Sequence, residues 1–179
     1  MMIYDNFLTD EEFFELKKVF YGHGEFASMI PWYYSDSKAY KDSDKNICTT
    51  AMNNFQFTHH FYVNHNAASE YFYLIQPMID FFDPISILRI RANLTVASDN
   101  NTEHFGFHTD AKVLEDKGIA YTTAIFYVNS NNGKTLFEDG TEVLSVENRL
   151  LVFDGKLKHT ATTHSDTKTR CVINFNYIG

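Results

Sequence analysis

Apolar positions along the chain follow two periods, and the change between them divides it. Phe13, Leu16 and Phe20 recur at helical spacing, Lys17 and Lys18 sit late in the segment, and Gly22 stops it. Thr9 followed by Glu12 is a capping box, with acidic residues in the first turn, so a helix is predicted over about 10–21. A second stripe (Tyr71, Leu74, Ile75, Met78, Ile79, Phe82) predicts a helix over 67–82, kinked at Pro77 and ended by Asp83-Pro84. Both helices are expected to cover a sheet. Between them, Ser35 to Asn46 is polar and reads as a loop, while Phe55, Phe57, Phe61 and Val63 alternate like short strands.

From Ile85 onward the period is two. Leu88, Ile90, Ala92 and Leu94 share one face, and Arg89, Arg91, Asn93 and Thr95 share the other, which faces either solvent or a polar cavity. Further strands are expected over 119–129, 134–138, 141–146, 149–153, 159–163 and 169–177, separated by turn signals such as Ser130-Asn131-Asn132-Gly133. The last two read as a hairpin joined by His164 to Lys168, which sets position 170 opposite 162, about three residues or ~10 Å along the strand from His159. In that hairpin Arg170, Val172, Asn174 and Asn176 face inward, and Cys171, Ile173, Phe175 and Tyr177 lie outward beneath the helices. The expected class is α+β, mainly β: a double-stranded β-helix (jelly roll) with N-terminal helices packed on one sheet, as one domain over 1–179.

Composition narrows the surroundings. A net charge of −8 and a pI near 5.4 argue against nucleic-acid partners and anionic membrane surfaces. Seventeen Phe and eleven Tyr suit packed sheets. Cys48 and Cys171 have no zinc spacing, and two reduced thiols are the expectation over a disulfide. The N-terminal stretch lacks the charged and apolar regions of a signal peptide, and no apolar run is long enough to span a bilayer, so a soluble cytoplasmic protein is expected.

The candidate chemistry centres on His108-Thr109-Asp110. Residues two apart on a strand share a face, so the imidazole and carboxylate can point together. In a chain with eight His, the pair alone reads more readily as a surface His beside a turn Asp. His159, about fifty residues on, supplies a third ligand of the right kind: two His and one carboxylate make the facial triad that holds Fe(II) with positions left open. Arg170 could then grip a carboxylate in the same cavity, or else pair with a surface Asp. His59, His60 and His65 read as exposed strand-end residues rather than a second metal site, and the aromatic stretch near Tyr33 and Tyr34 is a candidate for part of a substrate groove.

These residues resemble the 2-oxoglutarate/Fe(II)-dependent dioxygenase superfamily, most closely its prolyl 4-hydroxylase type. The match extends to Ile125-Phe126-Tyr127-Val128-Asn129, to Gly133-Lys134-Thr135-Leu136-Phe137, to the strand from Arg149 to Gly155 and, loosely, to the first 25 residues; residues 26–84 carry no matching motif. The resemblance implies His108, Asp110 and His159 as ligands of Fe(II), and Arg170 as the group that binds the far carboxylate of 2-oxoglutarate. Tyr127, Thr135 and Asn93 are implied as liners of that pocket, with Ile125 and Ala161 as wall residues. Asn93 departs from the tyrosine often found in that region, and the Ser98–Glu103 loop is longer.

The implied reaction consumes O2 and 2-oxoglutarate and hydroxylates a C–H bond, releasing succinate and CO2, with ascorbate as a candidate reductant. The implied substrate is a prolyl residue of a peptide or protein, with a free amino acid or small metabolite as the alternative. Asp110 argues against the halogenase branch, where a small residue replaces the carboxylate. Asn176 stands where nucleic-acid demethylases of the superfamily carry a second basic residue. The short stand-alone members it resembles occur in bacteria and their phages. The rival from another class is a non-enzymatic jelly-roll binding or structural module.

Overall fold

The computed structural model describes residues 1–24, 27–36 and 54–179. In chain order these form β1 (Met2–Tyr4), α1 (Asp10–Tyr21), β2 (Tyr33–Ser35), β3 (Gln56–Val63), β4 (Asn66–Ala67), a 3₁₀ turn (Phe72–Ile75) running into α2 (Gln76–Phe82), and β5 (Ser86–Val96). A short α3 (Lys112–Asp116) precedes β6 (Thr122–Tyr127), β7 (Lys134–Phe137), β8 (Glu142–Leu144), β9 (Arg149–Asp154), β10 (His159–Ala161) and β11 (Thr169–Ile178). The expected loop over 35–46 and Cys48 fall mostly or wholly outside the described residues; Cys171 is a buried free thiol.

The strands form two sheets. The larger runs β1-β9-β6-β11-β5-β3-β2, with β4 paired to β3, and every pairing is antiparallel. The smaller runs β10-β7-β8. This is the mainly β, jelly-roll arrangement expected. The outer face of the large sheet is apolar because α1 and α2 cover it: Leu16, Val19 and Phe20 of α1 and Met78 of α2 pack in one cluster with Ile90, Ala92, Phe126, Cys171, Ile173 and Phe175. A second apolar cluster, Ile125, Tyr127, Phe137, Val143, Leu151, Phe153 and Val172, draws on both sheets.

The first helix matches the expectation, capping box included: Thr9 Oγ1 accepts from the Glu12 amide at 3.3 Å, and Glu12 Oε2 accepts from the Thr9 amide at 2.9 Å. Three other expectations need correction. The stripe over 67–82 is helical only from Phe72, and α-helical only from Gln76, so Pro77 lies in the first turn, where its missing N–H costs nothing, rather than at a kink. His59 is not an exposed strand-end residue. It is 3% exposed, with its ring nitrogens at 2.9 Å from the Pro31 carbonyl and 2.8 Å from Ser69 Oγ.

The third correction concerns the last two strands, which are not a hairpin. β10 pairs with β7 in the small sheet, whereas β11 lies between β5 and β6 in the large one. The link between them crosses from sheet to sheet, fastened by Asn132, whose amide group bonds Ser165 and whose backbone N–H donates to Asp166 Oδ1. His159 and Arg170 therefore belong to opposite walls. The inward and outward sets on β11 are nevertheless those expected.

Candidate metal centre

His108 and Asp110 are not on a regular strand. His108 makes an isolated bridge to His159, each donating its N–H to the other's carbonyl at 3.0 Å, and Asp110 follows in the turn that leads into α3. The bridge brings the imidazoles side by side, with centroids 5.1 Å apart. The Asp110 carboxylate faces both: Oδ1 lies 3.9 Å from His108 Nε2, and Oδ2 lies 3.8 Å from His159 Nε2. Among the described residues this trio is the one cluster of His, Cys and acidic side chains with metal-binding spacing, its ligand atoms all within 4.8 Å of one another.

The ring orientations suit a cation. His108 Nδ1 is 3.1 Å from the Gly106 carbonyl, and His159 Nδ1 is 3.2 Å from that of Leu157. A carbonyl only accepts, so each Nδ1 carries a proton and Nε2 is the ring nitrogen left to face the centre. Burial holds His159 below the usual imidazole range even beside Asp110. Burial alone would raise the Asp110 carboxyl; His159, Arg89, His108 and the Asn176 amide together outweigh it and keep the group below its ordinary value. Two imidazoles and a carboxylate make the donor set that a facial triad requires. Their one-atom-per-residue separations, all within 4.8 Å, are up to about 1.8 Å wider than those of ligands ~2.1 Å from a shared ion at right angles.

Asp110 and His159 are 5% exposed at the side chain, and His108 is 40% exposed at the cavity mouth. Asp110 is held from outside by Asn176 Nδ2, which donates to Oδ2 at 2.9 Å, and by Arg89 Nη2, which donates to Oδ1 at 3.4 Å. Behind it, the Tyr121 hydroxyl donates to the Gly155 carbonyl at 2.6 Å and accepts from the Ala111 N–H at 3.1 Å.

The cavity, about 80 Å³, runs inward from these residues between the two sheets to Arg170. Asn93, Thr135, Ile125 and Ala161, all expected near it, line it, and so do Arg91, Thr95, Val172 and Asn174. Tyr127 stands behind that wall: it is wholly buried, its hydroxyl is 2.7 Å from Thr135 Oγ1, and its ring lies 5.8 Å from the Arg170 guanidinium. Arg170 is 4% exposed and donates from Nε to Ser145 Oγ at 2.9 Å and from Nη2 to Thr135 Oγ1 at 3.4 Å. Among the described residues no carboxylate lies within ion-pair distance of it. Gly133 makes room for this arrangement, since a Cβ there would lie 3.0 Å from Arg170 Cδ and 2.9 Å from Asn131 Oδ1.

Alternation along the strands predicts one polar face for Arg89, Arg91, Asn93 and Thr95 and an inward Asn176 on β11. No local pattern signals that Arg89 and Asn176 meet Asp110. Nothing local to Ser145 or Tyr121 signals its role.

The arrangement of strands and helices has counterparts among solved structures. The chain has the fold of the 2-oxoglutarate/Fe(II) oxygenases. An oxidoreductase of the 2OG-Fe(II) oxygenase family from Burkholderia pseudomallei superposes at a TM-score of 0.66 with 11% identity, over 97% of this chain and 82% of that one. A non-haem alpha-ketoglutarate-dependent epimerase, SnoN of nogalamycin biosynthesis, superposes at 0.64 with 12% identity, over 99% and 76%. A prolyl hydroxylase from Trichoplax adhaerens, in complex with a hypoxia-inducible-factor peptide fragment, superposes at 0.59 with 14% identity, over 99% and 82%. No protein-family model and no curated protein matches the sequence. Among the described residues no helix is long and apolar enough to cross a membrane.

Proposed function

We propose that the protein is a 2-oxoglutarate- and Fe(II)-dependent dioxygenase that hydroxylates an unactivated C–H bond, with a prolyl residue of a peptide or protein as substrate. The observation that carries the reading is the pairing of two features in one cavity. One is the triad of His108, Asp110 and His159. The other is Arg170, a buried guanidinium that donates to the hydroxyls of Ser145 and Thr135.

A buried full charge is costly without a counter-ion, and a dicarboxylate that reaches from the triad to Arg170 supplies one. His108, Asp110 and His159 would hold Fe(II), which with 2-oxoglutarate and O2 supplies the oxidation, releasing succinate and CO2. Arg170, with Ser145 and Thr135 fixing its fork, binds and orients the far carboxylate. Ile125, Ala161 and Val172 line the space with apolar atoms that exclude water from it.

The prolyl substrate is supported by the motif resemblance and by the likeness in fold to a peptide-bound prolyl hydroxylase. A free amino acid or small metabolite is the second reading, favoured by the polar lining of Gln56, Arg91, Asn93 and Asn174. The deciding experiment incubates the protein with Fe(II), 2-oxoglutarate, air and ascorbate. It follows succinate with and without proline-containing peptides or free amino acids, and looks by mass spectrometry for one added oxygen atom. Peptide-stimulated succinate with an oxidised prolyl residue supports the first reading, and stimulation by free amino acids alone supports the second. Absence of both metal binding and turnover favours a non-enzymatic jelly-roll module.

A further inference from the structure

We infer that Asn176 is the positioning residue of the Asp110 carboxylate; this rests on the reading of His108, Asp110 and His159 as a metal site. Asp110 needs such a residue because it lies in a turn, outside any strand ladder, so its backbone does little to fix where the carboxylate points. Asn176 is in the opposite situation. It sits on β11, hydrogen-bonded on both sides by β5 and β6, and is 2% exposed. A site held by a residue on a rigid central strand is placed more closely than one left to a loop.

The sense of the Asn176 amide is fixed by its partners. Its Oδ1 lies 3.1 Å from Arg89 Nη2, and a guanidinium can only donate, so that atom is the oxygen. The Nδ2 group must then face the other way, where it donates to Asp110 Oδ2 at 2.9 Å and to Thr123 Oγ1 at 3.2 Å. Arg89 and Asn176 are facing partners across β5 and β11, immediately before a register shift between Asn176 and Tyr177. Such irregularities commonly re-aim side chains beside functional sites. The direct Arg89–Asp110 contact, at 3.4 Å, is the longer of the two donors to that carboxylate. The role follows from this geometry. By occupying a lone pair of Oδ2, the amide disfavours coordination through both carboxylate oxygens and leaves more of the cation's surroundings open.

The test uses the whole chain and Co(II) as the probe, read by calorimetry and by the visible absorption of the bound ion, with melting of the metal-free protein alongside. Asn176→Leu removes the donor at similar volume without adding charge, and Thr123→Val removes the amide's other acceptor without touching Asp110. The expected result is a 10–100-fold loss of Co(II) affinity in Asn176→Leu, with an altered spectrum, while Thr123→Val binds Co(II) as the parent does. Should Asn176→Leu not fold, Asn176→Ala takes its place with the same expectation. Parent-like affinity and spectrum in the Asn176 variant overturn the inference. So do equal losses in the Asn176 and Thr123 variants that parallel their melting temperatures, because the amide then acts only as scaffold. A parent protein that binds no Co(II) overturns the metal-site reading and takes this inference with it, a result distinct from the others.

Discussion

Replacing Arg170 with Met makes a prediction with two parts of opposite character. The guanidinium is 4% exposed, bonded to the hydroxyls of Ser145 and Thr135, and without a carboxylate at ion-pair distance among the described residues. Met has a similar reach and no charge, so the ligand-free protein should be as stable as the parent or more stable. Binding should suffer instead. Losing one partner of a buried charged pair costs about 2–5 kcal/mol, and about 2.7 kcal/mol is a hundredfold in affinity. With 2-oxoglutarate at about one hundred times the parent's Kd, linkage stabilises the parent by about 2.7 kcal/mol and the variant by about 0.4 kcal/mol. For a chain of this size, at about 2–4 °C per kcal/mol, the melting temperature should rise by about 5–11 °C in the parent and about 1–2 °C in the variant. Calorimetry with Mn(II) in place of Fe(II), to prevent turnover, reads both parts. An equal rise in the two proteins would refute Arg170 as the carboxylate's partner, and a marked loss of ligand-free stability would refute its lack of a counter-ion.

Other expectations follow from local geometry. Thr9→Ala removes the N-cap of α1 and should cost about 1 kcal/mol, read as a shift in the urea midpoint at constant slope. Gly155→Ala should cost about 1–3 kcal/mol, because a Cβ there runs into the Tyr121 ring that braces the backbone at Ala111; an unchanged urea midpoint would contradict that packing. His59 is held below its ordinary value of 6.5 by burial, partly offset by the Pro31 carbonyl. The folded state therefore takes up a proton less readily than the unfolded one, and this contribution to stability is complete above about pH 6.5 and lost as the pH falls below it. His59→Gln should lose less stability than the parent between pH 7.5 and 5.5 in urea titrations, part of the dependence remaining because His60 and His159 are lowered by burial too. Equal losses would refute it.

Local patterns revealed the elements, and alternation revealed which faces turn inward. The Thr9–Glu12 box, the outward row of Cys171, Ile173, Phe175 and Tyr177, and the polar row of β5 were legible because each depends on spacing within a single element. The His108 and His159 pairing was legible in its chemistry but not in its cause. What joins them is a single backbone bridge between segments about fifty residues apart, not alternation along one strand. The supposed hairpin failed for a related reason: a turn-like sequence does not reveal whether the chain stays in one sheet or crosses to the next. The contacts of Asn176, Tyr121 and Ser145 depend on where strands meet in space, which no local period encodes.

The most direct test of the account is anaerobic calorimetric titration of the metal-free protein with Fe(II). Convergence of three side chains on one cation predicts a single site per chain, with affinity collapsing in His108→Ala, Asp110→Ala and His159→Ala alike. No binding by the parent, or binding that survives all three substitutions, would contradict it.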